Sequence, residues 1–480
     1  MIELRPYQID IIDATRSALG EHNSVVMQLA TGGGKTLTTS WILNQARIKG
    51  KRVIFSVHRR ELMAQTSRAF DKMDIPHGFI AAGEDYDSAQ LVHIASIDTL
   101  QRRLKDVLPP DLLIIDESHR AMAEGWKKVI LHWPDAKKVL ITATPERLDG
   151  KGLRHVAQAL VCGVTPKELI EDGYLSPYKI FAPSQPNLSK VKTIGGDYAI
   201  DALAAAMDDS KITGDAVEHY KKHCADMQAI VFAVNVAHSQ NIAAQFSAAG
   251  IPSAHLDGEM GKLQREDIIE RFRYGETKVL SNVNLLTEGF DLPNIQAAIL
   301  LRPTKSLALY LQMVGRALRP VYADGYDLES RHGRLEAIAN GIKPYAYILD
   351  HTGNCLIHGL PSIDRAWSLD GKKGRPPLKI VNGVCKECFH IWEKKPHEPT
   401  ICPLCGWMPE KKNKKSLDPV SGELTELTAE NSHWAWAKTK SLAQVMKQVK
   451  SRADLYEIAK VRNYRKGWVF YKAQELGIKE

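Results

Sequence analysis

Long apolar runs are missing from this 480-residue chain; the densest, Ala297 to Leu301, falls far short of the roughly 18 residues a membrane-spanning helix needs. The opening MIELRPYQID has no basic stretch followed by an apolar one, so no secretory signal is expected. Cysteine is scarce: seven residues cannot make a disulfide framework, and four of them fall in two Cys-x2-Cys pairs. A cytoplasmic protein with one metal site and no membrane partner is therefore expected. What is present is ordinary for globular chains, 44% hydrophobic and 25% charged, which excludes a mostly disordered or collagen-like chain. The length suggests two to four domains.

Net charge is nearly absent from the stretch before Gly371, where 42 basic and 44 acidic side chains almost cancel. Residues 371–480 hold 22 basic and 12 acidic ones, and so carry the entire positive excess. Five of the nine tryptophans, Trp392, Trp407, Trp434, Trp436 and Trp468, share that stretch. Cations mixed with aromatics suit a nucleic-acid surface, where phosphates meet charge and bases stack on rings. A solvated basic face over core tryptophans has the same composition.

Up to about residue 350, short β-branched runs alternate with helical patterns. Strands are predicted at Val25–Leu29, Arg52–Val57, Leu91–Ser96, Asp111–Ile115 and Lys138–Thr142, with helices such as Leu37–Lys49 and Arg59–Lys72 between them. A second set follows at Ala229–Val234, Lys278–Asn282, Gln296–Leu301 and Tyr345–Leu349. This is the pattern of βαβ units in parallel sheets. The predicted organisation is α/β, with lobe one over 1–180, a connection over 181–215, lobe two over 216–350, a linker over 351–380, a ribbon over 381–410 and a small basic helical unit over 430–480. Helical spacing of Leu442, Val445, Met446 and Val449 supports the last of these.

A nucleotide site is legible in two pieces. Leu29 to Thr36 (LATGGGKT) follows a strand and opens a helix, as a phosphate cradle does: glycines admit backbone N–H groups and the helix N-terminus adds its dipole. Thr31, Gly32, Gly33 and Gly34 would line it, Lys35 would reach the β/γ-phosphates of ATP, and the Thr36 hydroxyl would hold Mg²⁺. Leu29 stands where the strict pattern wants glycine. The second piece, DLLIIDESH from Asp111, places Asp116 and Glu117 at the C-terminal end of a strand, where α/β sheets bind ligands. Asp116 would hold Mg²⁺, and Glu117 would orient and deprotonate the attacking water.

From Arg5 to Pro320 the chain resembles the superfamily-two helicases of the DExH type, which implies two RecA-like lobes in tandem. RPYQ at Arg5 is similar to a Q motif, in which Gln8 would read adenine. VHRRELMAQ from Val57 and ASIDTLQRR from Ala95 resemble motifs Ia and Ib, Thr142-Ala143-Thr144 resembles motif III, and IVFAVNVAHS from Ile230 resembles motif IV. LLTEGFDLP from Leu285, with Asp291, resembles motif V, and QMVGRALR from Gln312 resembles motif VI. The resemblance implies that His119, Thr142 and Thr144 couple hydrolysis to movement. It also implies that Arg59, Arg60, Thr99 and Thr287 bind DNA phosphates without reading sequence. Gln312 joins the catalytic set with Arg316 and Arg319, which lie three apart on one helix face and would act as arginine fingers across the cleft. His58 and His238 read better as structural residues.

Cys385, Cys388, Cys402 and Cys405 form two pairs, with Phe389 to Ile401 between them, matching a tetrahedral four-thiolate Zn²⁺ site of the structural kind. Cys162, Cys224 and Cys355 read as small core residues. A DExH motor followed by a four-cysteine ribbon and a basic tail resembles the RadD family of bacterial DNA-repair helicases and related phage proteins. That resemblance implies single-stranded, forked or branched DNA as substrate, repair or recombination as setting, a single-stranded-DNA-binding protein as partner, and a nucleoid-associated location in a bacterial or phage-infected cell. Three alternatives stay open: a duplex translocase that does not unwind, a motor subunit of a restriction enzyme, and a zinc-ribbon DNA-binding scaffold with an accessory ATPase.

Overall fold

The β-branched runs become strands because each is buried on both faces, as parallel sheets require. In the computed structural model the described residues are 4–58, 60–120, 124–146, 150–182, 191–194, 197–207, 210–283, 295–371, 382–394, 400–408, 434, 437, 440–462 and 464–478. The first sheet comprises β1 (Ser24–Gln28), β2 (Val53–Val57), β3 (Gly78–Ile80), β4 (Val92–Ser96), β5 (Leu112–Ile115), β6 (Lys137–Thr142) and β7 (Ala159–Cys162). Its order is β3-β4-β2-β5-β6-β1-β7, with every pair parallel. Helices α1 (Pro6–Glu21), α2 (Lys35–Ile48), α3 (Arg60–Asp71), α4 (Ile97–Leu100) and α5 (Glu124–His132) accompany it. The central strands β5, β6 and β1 lie side by side, with Gln28 opposite Thr142. The glycine loop, the acidic pair and the Thr-Ala-Thr run therefore leave the same edge of the sheet.

The chain leaves this sheet through α6 (Pro166–Glu171) and enters the second at β8 (Tyr178–Phe181). A two-residue ladder, β9 (Thr193–Ile194) with β10 (Asp197–Tyr198), precedes α7 (Ile200–Met207) and α8 (Ser210–His223). Then come β11 (Ala229–Phe232), α9 (Val236–Ala248), β12 (Ser253–Leu256), α10 (Lys262–Arg273), β13 (Val279–Asn282), β14 (Ala297–Leu300), α11 (Leu307–Ala317), α12 (Arg331–Ala339), β15 (Ala346–Asp350) and α13 (Asn354–His358). The sheet closes with a hairpin from the cysteine-rich segment, β16 (Asn382–Val384) and β17 (His390–Glu393). Its order is β12-β13-β11-β14-β15-β8-β17-β16, parallel up to β8 and antiparallel beyond it.

The observed boundaries differ from the sequence expectation in several places. The span 181–215, expected to be a connection, holds α7 and the start of α8, with Leu203 and Met207 in lobe two's core. The cysteine-rich hairpin belongs to the second sheet. A boundary at residue 180 cuts through β8, which pairs with β15 and β17 in the second sheet. The span 351–380, expected to be a linker, holds α13 and then returns to lobe one: Leu369 is buried in that lobe's core beside Leu153 and Val156. Its carbonyl accepts from Arg154 N at 3.0 Å, and Arg154 grips Asp370 through two contacts of 3.1 and 2.9 Å. The chain thus crosses between lobes twice within its described part, once near α6 and once as a strap over residues 359–371.

Residues 410–480 form a separate compact unit. Its described helices are α14 (Leu442–Met446), α15 (Arg452–Val461) and α16 (Lys466–Glu475). Trp434, Ala437, Val445 and Ile458 make one small core; Leu455, Ala459, Val469 and Ala473 make another. No helix among the described residues is long and apolar enough to cross a membrane.

Candidate active site

The glycine loop starts where β1 ends. Gly32 and Gly34 have φ of +85° and +82°, in the left-handed region that side-chain-bearing residues avoid, and Gly34 caps α2. A Cβ on Gly34 would stand 2.4 Å from Gln8 Nε2, and one on Gly33 would stand 3.0 Å from the Ala30 carbonyl. Three glycines are therefore required by conformation or by space. Leu29, which departs from the strict motif, is fully buried against Gly33 and Gly163 and has no positive φ, so nothing in the backbone asks for glycine there.

The N-terminus of α1 braces this loop from behind. Pro6 opens the helix, and Gln8 Oε1 turns back to accept from Arg5 N at 3.0 Å. Gln8 is 1% exposed; its Nε2 points at the Gly33 and Gly34 carbonyls, 3.5 Å from each, and Tyr7 donates its hydroxyl to Gly33 O at 3.1 Å. Thr31 Oγ1 is buried with no hydrogen-bond partner, while Lys35 is half-buried and Thr36 exposed in the first turn of α2. A cradle with open backbone donors, an orphaned hydroxyl and a lysine suits a triphosphate.

The acidic pair follows β5. Asp116 N donates to Ser56 O at 3.0 Å, and Asp116 Oδ1 accepts from Glu117 N at 2.9 Å. This folds Glu117 into a left-handed turn, φ +49°. Burial alone would raise the Glu117 pKa, but the Lys35 charge, the His119 hydrogen bond and charge, and the His58 charge hold the carboxyl well below its ordinary range. His119 Nδ1 lies 3.2 Å from Glu117 Oε2 and 3.4 Å from Thr142 Oγ1. Thr142 Oγ1 in turn accepts from Thr144 N and donates to Thr144 O, both at 3.0 Å. A polar chain thus runs from Glu117 to Thr144, and Gln28 Nε2 fixes the intervening Ala143 carbonyl at 3.1 Å.

Lobe two brings α11 to the same place. A Cβ on Gly315 would lie 2.4 Å from Thr31 Cγ2, so only glycine lets this helix touch the phosphate loop. Gln312 is buried, and Arg316 and Arg319 are half-buried on the helix and just beyond it. The carbonyls that end the helix are held from outside it: Leu318 O accepts from Ser176 N at 2.8 Å, and Arg319 O accepts from Lys343 Nζ at 2.6 Å. Lys343 is 1% exposed, and burial, with the Arg319 charge beside it, pushes its pKa down to about 7. Between the lobes lies a largely apolar cavity of about 200 Å³ lined by Thr31, Ala143, Val314, Gly315, Ile363 and Trp367.

The four cysteines converge as the spacing predicts. All four Sγ atoms lie within 4.8 Å of one another, with Cys385–Cys405 at 3.6 Å and Cys388–Cys402 at 3.7 Å. A tetrahedron of sulfurs about 2.3 Å from zinc has edges of about 3.8 Å, so the group fits Zn²⁺. Cys385 Sγ also accepts from Glu387 N and Cys388 N at 3.4 Å, which offsets burial and brings its pKa down to about 7.

Several sequence-read residues stand apart from this assembly. Arg59, Thr287 and Asp291 lie outside the described residues, as does all of LLTEGFDLP; Arg60 begins α3, and Thr99 is half-buried in α4. Cys224 and Cys355 are buried, but Cys162 is exposed at the end of β7 and borders the cavity, because β7 is the edge strand of its sheet. His238 is buried and donates its backbone N–H to Asn235 at the start of α9. Sequence reasoning missed Tyr7, Gln28, Ser176 and Lys343. Gln8 carries a flag, but as a base reader; its bracing of the loop depends on a contact with Gly33 that no local pattern announces.

Residues 1–147 match the family model described as "Type III restriction enzyme, res subunit", and residues 215–321 match "Helicase conserved C-terminal domain". The chain is 31% identical over 447 residues to a 51.5 kDa protein of a Lactococcus phage, covering 91% of this chain and 88% of that one. It is 33% identical over 339 residues to the putative ATP-dependent helicase IRC3 of Saccharomyces cerevisiae, covering 66% of this chain and 49% of that protein, so it spans about half the length of the yeast relative. Among solved structures, a fragment of a putative HsdR subunit of a type I restriction enzyme from Vibrio vulnificus shares the fold, with TM-score 0.53 and 23% identity over 74% of this chain and 67% of that one.

Proposed function

The chain belongs to the ATP-hydrolysing DNA helicases of superfamily two, and we propose that it uses the site above to move along or remodel single-stranded, forked or branched DNA during repair or recombination. The observation that carries this reading is the contact of Gly315 with Thr31: the helix that bears Arg316 and runs out into Arg319 is packed on the loop bearing Lys35. The triphosphate lies on the backbone of Gly32 to Gly34, with Lys35 on its β/γ end. Thr36 and Asp116 would hold Mg²⁺, which would supply positive charge to neutralise the phosphates. Glu117, kept ionised, accepts the proton of the attacking water. Arg316 and Arg319 stabilise the charge that develops in the transition state.

The mechanical step follows from who supplies what. Lobe one supplies cradle, metal ligands and base; lobe two supplies guanidinium groups, with Gln312 on the same helix. Hydrolysis therefore needs the lobes together, and the polar chain from Glu117 through His119 to Thr142 and Thr144 reports the state of the γ-phosphate to the rest of lobe one. Gln8 acts on the nucleotide through the loop it braces as well as through adenine. Arg59, Arg60, Thr99 and Thr287 bind DNA phosphates. The four cysteines would hold one Zn²⁺ of the structural kind. The setting is the cytoplasm of a bacterial or phage-infected cell, at the nucleoid, with a single-stranded-DNA-binding protein as partner.

The test is steady-state ATP hydrolysis by the full chain without DNA and with single-stranded, duplex and forked DNA, beside Lys35→Ala. We expect several-fold stimulation by at least one DNA and loss of hydrolysis in the variant; absence of stimulation by every nucleic acid contradicts the reading.

A further inference from the structure

The two described tryptophans of the C-terminal unit face inward. Trp434 is buried, and Trp468 packs against the small cores of the unit and against Tyr464. The aromatics it turns outward are others. Helix α16 buries Val469 and Ala473, four apart on one face, and the opposite stripe presents Gly467, Phe470, Tyr471 and Gln474. Phe470 is 58% exposed and Tyr471 72%, their ring centroids 6.0 Å apart and their planes at 83°. Helix α15 buries Leu455, Ile458 and Ala459 and exposes Tyr456, Glu457 and Lys460. A solvated helix places charged residues on its outer stripe. This unit instead leaves large rings in water while its own cores are small.

Charge says what covers them. Residues 440–478 hold nine Lys and Arg against three Asp and Glu. Two of the three acids are engaged locally: Asp454 accepts from Lys450 N and Ser451 N at the start of α15, and Glu475 pairs with Lys472 at 2.5 Å. The cations Lys460 and Arg465 stay exposed, one at the end of α15 and one at the cap of α16. Exposed rings set among excess cations match single-stranded nucleic acid: phosphates take the charge, and unpaired bases stack on the rings. A duplex keeps its base faces stacked on each other and cannot use them.

We propose that the outer stripe of α15 and α16, through Phe470, Tyr471 and Tyr456, is a second binding surface for single-stranded DNA, separate from the motor's own track. It depends on no feature of the ATP site.

The test uses the full chain, wild type and the variants Phe470→Ala/Tyr471→Ala and Lys460→Gln/Arg465→Gln, all at exposed positions. Equilibrium binding to a short oligothymidylate and to a duplex of equal length is measured across a salt series, with DNA-free ATP hydrolysis as the control of folding. The aromatic variant is expected to lose about tenfold or more in single-strand affinity, the ~1.4 kcal/mol that a single stacked base is worth. Its salt slope, duplex affinity and DNA-free hydrolysis stay as in wild type, while the charge variant shows a shallower salt slope. Unchanged single-strand affinity overturns the proposal, as does equal loss on duplex and single strand. So does loss of binding only to phosphatidylserine vesicles, assayed in parallel. If DNA fails to stimulate ATP hydrolysis in wild type while the aromatic variant still loses single-strand affinity, this surface stands and the motor reading falls.

Discussion

Glu117 is held in a left-handed backbone conformation, φ +49°, that costs a non-glycine residue about 1–3 kcal/mol. The turn is fixed by Asp116 Oδ1 on its N–H, and it aims the carboxylate at Lys35 and His119. Backbone strain at a buried carboxylate beside the phosphate loop is a feature that clusters at functional sites, and the proposed role of Glu117 as base makes a prediction. Glu117→Gln should keep ATP affinity and lower the hydrolysis rate by about 10²–10⁴, the usual worth of a general base; nucleotide-binding titration beside steady-state turnover checks this, and comparable loss of both contradicts it.

Lys343 makes a pH prediction. Its folded pKa of about 7 lies below its ordinary value of 10.5, so between those limits the unfolded chain binds the extra proton. Stability therefore rises with pH across that window on its account, and is flat below it. Lys343→Met removes the effect: urea denaturation should show wild type gaining stability relative to the variant from pH 7 to pH 9, and a constant difference between them would contradict the assignment. Lys343 also shows a limit of sequence reading. A lysine between Ile342 and Pro344 reads as a loop cation, and only the fold shows it buried under the end of the arginine-bearing helix.

Elements were read well where their signal is local. The central strands of both sheets lie within a residue or two of the runs that predict them, because β-branched burial is a nearest-neighbour signal. Pairings far apart in sequence were illegible. The ribbon's β17 adds to β8 with Ile391 opposite Ile180, across the whole length of lobe two in the chain, and both side chains are buried. The ribbon is thus the edge of lobe two's sheet and not a bead on a linker. Chelating the metal, or Cys385→Ser, should uncover that edge and lower the thermal transition of the motor itself, with about one Zn²⁺ per chain before treatment. Loss of the metal with no change in melting contradicts the account.

The strap over 359–371 gives a second test at this scale. Leu369 is buried in lobe one, whereas Arg154 and Asp370 are about half exposed. Leu369→Ala should cost about 2–5 kcal/mol and Arg154→Ala far less, because the ion pair is solvent-screened. The reverse order in chemical denaturation would show that the ion pair, and not the apolar anchor, fastens the strap.

At the scale of the molecule, the order of motifs along the chain was legible because each is a short block with its own chemistry. Their convergence was not, since Thr31 and Gly315 belong to different lobes and meet only because two parallel sheets bring the ends of their strands to one cleft. Which aromatics of the tail face water was illegible for a related reason. Composition counts tryptophans, but burial decides which rings face water, and in a unit this small the largest rings go to the core. The account as a whole rests on one triphosphate being shared by both lobes. Its most direct test is the ATP turnover of Arg316→Ala at saturating ATP and DNA, set beside its ATP affinity: a fall in turnover of about 10³ or more with little change in affinity is predicted, and turnover equal to wild type would contradict it.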